Sequence, residues 1–417
     1  MALIVQKFGG SSLSTVEKIK AVAKRVVTVK RQGHQVIVVV SAMGKTTDEL
    51  IALAKQVHHQ PPGRELDLLL STGEMVSVAL VSMAIEELSE EAEGFPGYFA
   101  GIRTDTLHTK ARIKRIEPIR IQKELEKGKI VVVAGFQGLS PEDAITTLGR
   151  GGSDLTAIAL AAILQADRCE IFTDVPGVFT ADPNRVPQAK LIPLLSYEEM
   201  LEMASTGAKV MQSRAVEFAK KYRVPFTVRA TFQEGEGTMV KELDVQEGAV
   251  VSSVSLDDKQ AKISVFRVPD QPGVAARLFQ ALGAENINVD MIVQNVGQDN
   301  RADISFTVNL IDLEKSLQIA REIATGLGAE RVTADEDIAK ISIIGIGMMN
   351  HPGVAGRMFH ALASAGINIE MISTSEIKIS CVVRRKQADR AIQAVHREFI
   401  ESQEREQSRT APDREVT

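Results

Sequence analysis

The sequence predicts an α/β protein: a three-layer α/β/α sandwich followed by two ferredoxin-like βαββαβ modules. Three observations carry that expectation. Strand candidates in the N-terminal half, such as "VIVVV" at 36–40 and "IVVVA" at 130–134, are apolar at every position. Strands read that way in a parallel sheet covered by helices on both faces. They alternate with helical patterns, the order of a layered α/β fold. Finally, "DQPGVAARLFQALGAENINVDMI" (270–292) returns as "NHPGVAGRMFHALASAGINIEMI" (350–372), offset by 80 without a gap and identical at 12 of 23 positions. The C-terminal part is therefore an internal repeat.

Taken in order, the expected strands of the sandwich are 3–6, 35–41, 130–136, 168–172 and 225–228. The expected helices are 15–30, 74–88, 119–127, 154–164, 197–204 and 208–221. The polar, glycine-rich run "QEGEGTMVKELDVQEG" (233–248) marks a boundary, placing the first domain at 1–245. Each repeat copy is preceded by a strand, 262–268 and 340–346, and continues as strand, turn, strand and helix, the split βαβ pattern. The first copy has a closing strand candidate at 329–333. The second runs instead into the polar "ESQEREQSRTAPDREVT" and lacks one. An orphan strand candidate at 248–255 supplies it, so the first copy (261–337) is inserted into the second (248–256 plus 338–400). Residues 401–417 read as a disordered tail.

Composition narrows the function. The chain has 417 residues, 44% apolar and 25% charged, which suits a soluble protein of two to four domains. A net charge of −5 and a pI near 5.9 imply no basic face for nucleic acid. With no tryptophan and three tyrosines there is little to stack bases on. The apolar runs are far shorter than the roughly 20 residues of a membrane helix. "MALIVQKF" lacks a signal-peptide layout. Cys169 and Cys381 lie apart in apolar surroundings and read as buried thiols of a reducing compartment. The expectation is a cytoplasmic protein that contacts neither nucleic acid nor membrane.

Several turns carry chemistry. "KFGGSS" (7–12) follows the first strand, and a glycine pair there either cradles a phosphate or makes a tight turn. Lys7 at the strand end favours the phosphate. "TLGRGGSDLTAIALAAIL" (147–164) sets Arg150 among three glycines, with Ser153 and Asp154 opening a helix. An arginine near open backbone grips a carboxylate with two parallel bonds. "FTDVPGVFTADPNRV" (172–186) puts Thr173 and Asp174 at a strand's C-terminal end, where open α/β sheets bind ligands. Asp174 and Asp182 there suit a metal–nucleotide or, equally for Asp182, a turn before Pro183. Ser41 and Thr47 follow a buried strand in "VVVSAMGKTTDEL". Glu74 of "STGEMVSVAL" falls at an expected helix start and satisfies its dipole. Together, glycine- or hydroxyl-rich turns bearing Lys, Arg, Asp and Glu suit a phosphorylated nucleotide and a small zwitterion.

KFGGSS, SAMGKTTDEL, STGE, TLGRGGSD, TDVPGVFTADP and GAKV, in this order, resemble aspartate kinases of the amino-acid kinase family, and the 80-residue repeat resembles a pair of ACT domains. The resemblance covers residues 1 to about 400. It implies a monofunctional enzyme, since the chain closes on a polar tail with no room for a second one. The implied reaction is Mg2+-ATP-dependent phosphorylation of the aspartate side chain, the metal held mainly by the nucleotide phosphates and by no dedicated protein site. By this resemblance Lys7 neutralises the transferring phosphoryl group, and Gly9, Gly10 and Ser11 hold phosphates. Arg150 takes the α-carboxylate, Glu74 and Asp154 the ammonium. Ser41, Thr47 and Ser153 fix the side chain. Thr173, Asp174, Phe179, Asp182, Arg185 and Lys209 bind nucleotide. The ACT pair implies feedback by lysine, threonine or both. One effector site would be lined by Asp270, Gly273, Val274, Gln294 and Asn295. The other would be lined by Asn350, Gly353, Val354, Asn368, Ile369, Thr374 and Ser375. It also implies a homodimer or tetramer joined through ACT domains, or an assembly with a shorter regulatory chain. Two departures from the family stand out: Phe179 where tyrosine is common, and an altered segment "EGFPGYFAGIRTD" (93–105).

Overall fold

The computed structural model describes residues 1–206, 210–243, 251–297 and 299–402, the side chains of 349 and 350 excepted. The chain divides into two compact units. The first holds Met1–Val178, Leu191–Ser205 and Lys209–Asp244, the second Phe179–Lys190, Thr206–Ala208 and Val245–Thr417.

The first unit begins β1 (Leu3–Phe8), α1 (Val16–Arg31), β2 (Gln35–Val40), α2 (Thr46–Val57) and α3 (Gly63–Glu86). It continues with β3 (Ala92–Phe95), β4 (Ile102–Thr104), β5 (Ile113–Ile116), α4 (Ile119–Glu126), β6 (Ile130–Ala134), β7 (Gln137–Leu139) and β8 (Ile145–Thr147). Then come α5 (Gly152–Leu164), β9 (Arg168–Thr173), β10 (Leu194–Ser196), α6 (Tyr197–Ser205), α7 (Ser213–Tyr222), β11 (Phe226–Ala230) and β12 (Thr238–Lys241). The main sheet runs β10-β12-β11-β9-β1-β2-β6-β3. Its centre, β11, β9, β1, β2 and β6, is parallel. Every residue of β6 is buried, and so are five of the six in β2, as strands covered on both faces require. The chain builds outward from β1 to β2 and β6, then returns to place β9 on the other side of β1, so the strand order reverses beside β1. A reversal of this kind opens a crevice at the strands' C-terminal ends. A small sheet, β5-β4-β7-β8, stands beside the main one.

Helix α1 starts where Thr15 accepts the N–H of Lys18, and it buries Ile19, Val22, Ala23, Val26 and Val27 at helical spacing. α2 is absent from the sequence expectations. α3 departs from them more. It starts at Gly63, so Glu74 sits mid-helix and caps nothing. Ser71, Thr72 and Gly73 read as a start signal because such residues favour caps. Gly73 is instead there for packing, since a Cβ on it would meet the Ala42 Cβ at 2.8 Å. α3 is the one helix among the described residues long and apolar enough to cross a membrane. Its inner face nonetheless buries Asp67 and Glu74 along with Leu70, Val78, Val81 and Ile85.

The second unit comprises β13 (Ser253–Asp257), β14 (Gln260–Pro269), α8 (Val274–Ala284), β15 (Val289–Val296), β16 (Arg301–Asn309), α9 (Leu313–Leu327) and β17 (Arg331–Asp335). It ends with β18 (Ile338–Ile344), α10 (Val354–Ser364), β19 (Met371–Thr374), β20 (Lys378–Arg384) and α11 (Ala388–His396). Two four-stranded sheets result, β15-β16-β14-β17 and β13-β18-β20-β19. β17 closes the first beside β14, and β13 takes the matching place beside β18 in the second. Strand alternation then sorts the side chains. Ala261, Ile263 and Val265 of β14 enter one core with α8 and α9, while Ala339, Ile341 and Ile343 of β18 enter another with α10 and α11. The opposite faces of the two sheets meet each other. Met291, Ile338, Met371 and Val382 form a small apolar cluster there, flanked by the pairs Lys262–Glu370 (3.3 Å) and Lys340–Asp290. Of the expected tail, 401–417, Glu401 instead closes the helical turn Arg397–Glu401, and residues 403–417 lie outside the described residues.

Candidate active site

Turns at the C-terminal ends of β1, β2, β8 and β9, together with α3, supply the expected residues of the first unit that are described. Lys7 leaves β1 only 9% exposed, and its Nζ lies 2.6 Å from Asp154 Oδ1. Asp154 belongs to the first turn of α5, whose residues from Gly152 to Ala161 are all buried. That turn enters under Gly135, where a Cβ would stand 2.6 Å from Ser153. Glycine is needed at 10 for the same kind of reason: a Cβ there would lie 2.7 Å from the Ala42 carbonyl and 2.9 Å from that of Gly44. The Gly44 N–H donates to the Gly10 carbonyl at 2.9 Å, so the turns after β1 and β2 are locked together. The Gly9 N–H donates to the Phe172 carbonyl (3.3 Å) and is not free for phosphate, a correction to the sequence reading. Ser41, directly after β2, donates its N–H to the Phe8 carbonyl.

Glu74 is 2% exposed. Its Oε1 accepts the Ala42 N–H at 3.1 Å, and its Oε2 has no partner among the described residues. Burial pushes its pKa to about 8, with only the Ala42 amide and its own pulling it back. This carboxyl is therefore set beside Ser41 and short of a cation. Arg150 is the reverse: its side chain is 94% exposed, with Asp48 as a loose neighbour at 3.9 Å. Asp48 lies next to Thr47 in the first turn of α2, so Arg150 stands open to bind a carboxylate.

On the other side of β1, Ser11, Ser12, Lys18, Thr173, Asp174, Thr231 and Phe232 line a cavity of about 140 Å³. Ser12 and Thr231 share a 2.6 Å hydroxyl bond, and Thr231 also donates to the Thr173 carbonyl. Sequence reasoning missed Lys18, Thr231 and Phe232. Lys18 is one of several lysines on α1, and the "RATF" that holds the other two carries no phosphate-binding signature. Asp174 is the cavity's one carboxylate, and no three His, Cys, Asp or Glu converge among the described residues. That donor set fits a magnesium ion that takes most of its oxygens from phosphates.

Phe179, Asp182 and Arg185 belong to the second unit, where the Arg185 guanidinium is held by Asp389 (2.6 Å) and Asp258. Asp182 caps its own turn by accepting the Asn184 N–H at 2.9 Å, the turn role weighed for it. Lys209 lies outside the described residues.

The expected effector residues occupy matching places in the two repeat copies. Gly273 and Gly353 precede α8 and α10 with φ of +96° and +90°, a conformation natural only to glycine. Val274 and Val354 follow and are buried. Asp270 donates its N–H to the Asn300 carbonyl. Gln294 and Asn295 lie exposed on β15. Asn368 and Ile369 connect α10 to β19, Thr374 ends β19, and the Ser375 N–H closes the following turn on Lys378. Asn350 lies just before Gly353, its side chain undescribed.

Comparison with known proteins agrees with this geometry. Residues 2–230 match the amino acid kinase family, and residues 263–325 and 341–399 each match the ACT domain. The aspartokinase of Pseudomonas aeruginosa is 50% identical over 402 residues, covering 96% of this chain and 98% of that one. That of Thermus thermophilus is 48% identical over 401 residues, covering 96% and 99%. Among solved structures, the aspartate kinase from Synechocystis is 45% identical, with a TM-score of 0.55 over 95% of this chain and 69% of that one. E. coli aspartokinase III in complex with aspartate and ADP shares the fold at 24% identity and a TM-score of 0.82, covering 95% and 99%. The chain belongs to the aspartokinases of the amino acid kinase family and is an aspartate kinase with two ACT domains.

Proposed function

We propose that this aspartate kinase transfers the γ-phosphoryl group of Mg2+-ATP to the side-chain carboxylate of L-aspartate, giving 4-phospho-L-aspartate and ADP. One oxygen of that carboxylate bonds to phosphorus. The bond to the β,γ-bridging oxygen breaks, and its electron pair leaves with ADP. The attacking carboxylate, with a pKa of about 3.9, is already ionised and needs no general base. The barrier is an anion meeting an anion, so catalysis is positioning and charge neutralisation. Magnesium, when bound, would shield the phosphate oxygens, with Asp174 the carboxylate placed to hold it.

Lys7 neutralises the transferring group, its ammonium already at the strand end beside Asp154. Glu74 and Asp154 bind the substrate ammonium, and Arg150 takes its α-carboxylate. Ser41, Thr47 and Ser153 orient the side chain. Gly10, Ser11 and Thr173 serve the nucleotide. The observation that carries the reading is Glu74: a buried carboxylate with an unpartnered oxygen waiting for a cation.

We assign residues 1–245 to catalysis, and 261–337 and 248–256 plus 338–400 to the two ACT domains. Lysine, threonine or both act there as end-product inhibitors, by favouring an inactive arrangement. Support comes from a relative: E. coli aspartokinase III has been solved in complex with lysine and aspartate in a T-state. The enzyme works in the cytoplasm as a dimer or tetramer joined through its ACT domains, with or without a shorter regulatory chain.

Hydroxylamine trapping of acyl phosphate tests this, with ATP and aspartate, glutamate or acetylglutamate, each repeated with lysine, threonine and both. Signal with aspartate that an end product suppresses is the expected result. No signal with any substrate, together with thermal stabilisation by lysine or threonine, would leave a sensor in place of an enzyme.

A further inference from the structure

Asp67 lies on α3 at 0% exposure and takes no part in the chemistry above. Its Oδ1 accepts the Thr147 hydroxyl at 2.5 Å and the Thr109 N–H at 3.1 Å. Its Oδ2 lies 3.0 Å from the same N–H and 2.7 Å from His108 Nδ1. Burying a carboxylate is costly unless its oxygens are hydrogen-bonded, and this one draws its donors from two separate stretches of chain. Both lead to Arg150. Thr147 ends β8 three residues before it, and the Ala111 N–H, just past Thr109, donates to the Thr147 carbonyl at 2.9 Å. Arg214 bridges the same two stretches through the carbonyls of Leu148 (2.7 Å) and Ala111 (2.9 Å).

Glu74 is seven residues further along α3, about two turns, and faces inward like Asp67. One rigid helix therefore carries the carboxylate offered to an ammonium and, nearer its start, the anchor of the turn that presents Arg150. The ammonium and α-carboxylate of an amino acid share one carbon, so their receptors must be held at one spacing.

We propose that Asp67 is a positioning residue for the amino-acid substrate: by fastening His108, Thr109 and Thr147 to α3 it sets the place of Arg150 relative to Glu74. This rests on the reading that Arg150 and Glu74 bind the amino-acid end of aspartate. Steady-state trapping kinetics on the full chain test it, with aspartate and ATP varied in turn, for Asp67→Asn, Thr147→Val, Thr147→Ser and Arg150→Ala.

Asp67→Asn and Thr147→Val should raise the aspartate KM tenfold or more and change the ATP KM less than twofold. Thr147→Ser, which keeps the hydroxyl, should hold the wild-type value. Adding Thr147→Val to Arg150→Ala should bring no further loss, because both act through one group. If Asp67→Asn does not fold, Thr147→Val carries the test alone. An unchanged aspartate KM in folded Thr147→Val overturns the proposal, as does a joint rise of both KM values with a lowered melting point. A wild type inactive on aspartate overturns the proposal and the functional reading together. An active wild type with indifferent variants overturns the positioning role only.

Discussion

Two charged side chains buried almost completely, one in each compact unit, are treated in opposite ways. Glu74 in the first unit is 2% exposed, with one backbone N–H on Oε1 and nothing among the described residues on Oε2. Lys340 in the second is 1% exposed and sits against the Asp290 carboxylate. Burying an ion without a counter-charge is costly, and the folded chain meets that cost in two ways. At Lys340 it supplies the partner itself, and the pair helps join the two ACT sheets. At Glu74 it leaves the carboxyl with a pKa raised to about 8 and the partner to be brought in. The completed pair at Lys340 serves structure; the incomplete one at Glu74 is the contact proposed above for the substrate ammonium.

Removing the partner from the finished pair should have the largest effect. Asp290→Ala strands Lys340, and a cost of about 3 kcal/mol is expected, the low end for such a loss because Asp290 is 30% exposed. Urea unfolding of the variant reads it. Adding Lys340→Met should restore most of the loss, and a single variant as stable as wild type would erase the contrast with Glu74.

Glu74→Gln should act with the opposite sign on stability. A carboxyl whose pKa is raised on folding, here from 4.5 to about 8, stabilises fully below pH 4.5. That contribution is lost as the pH climbs to 8. The ligand-free variant should therefore gain in stability over the wild type by a margin that grows between pH 5 and pH 9. At the same time its aspartate KM should rise about a hundredfold, the value of one charge-assisted contact.

The wild-type aspartate KM should itself fall about tenfold per pH unit as the pH rises towards 8 and level off above, since binding needs the ionised carboxylate. Glu74→Gln should flatten that profile. A profile unchanged in the variant would assign the ammonium contact elsewhere.

Smaller effects probe the second unit. Gly273→Ala and Gly353→Ala each force a side chain to positive φ with nothing among the described residues within 4 Å to hit, so each should cost about 1 kcal/mol by backbone strain alone. Unequal losses in thermal unfolding would show that the two copies are not equivalent. Arg185→Ala, which removes a one-third-exposed arginine from two carboxylates, should cost about 0.5–1 kcal/mol and less at high salt.

Much of this was open to reading. Strands apolar at every position have one sensible home, between two layers of helix, and the 80-residue repeat announced two like modules, the second lacking a strand. The gap pointed to the stretch where β13 pairs with β18. The small sheet was invisible, because strands of three or four residues such as β4 and β7 are too short to display a period. α3 was cut short because Ser71, Thr72 and Gly73 carry the composition of a cap. The Asp67 anchor was hidden in "RELDLLL", where a helical aspartate looks like any solvated one.

The sequence by itself determined the two fold types, the family and the turns at which Lys7, Arg150, Ser153, Asp154 and Thr173 stand, because strand burial and glycine spacing are local properties. Only the tertiary structure decided which charges are left unsatisfied. Glu74 became a buried, half-partnered carboxyl because α3 begins eleven residues before it and carries it beneath Ala42. Phe179, Asp182 and Arg185 follow Asp174 in one continuous motif, yet Ala181 and Val186 bury into a core with Ile341 and Ile343 and take that segment into the second unit. Burial and pairing depend on what distant parts of the chain bring alongside, and no window of the sequence contains that.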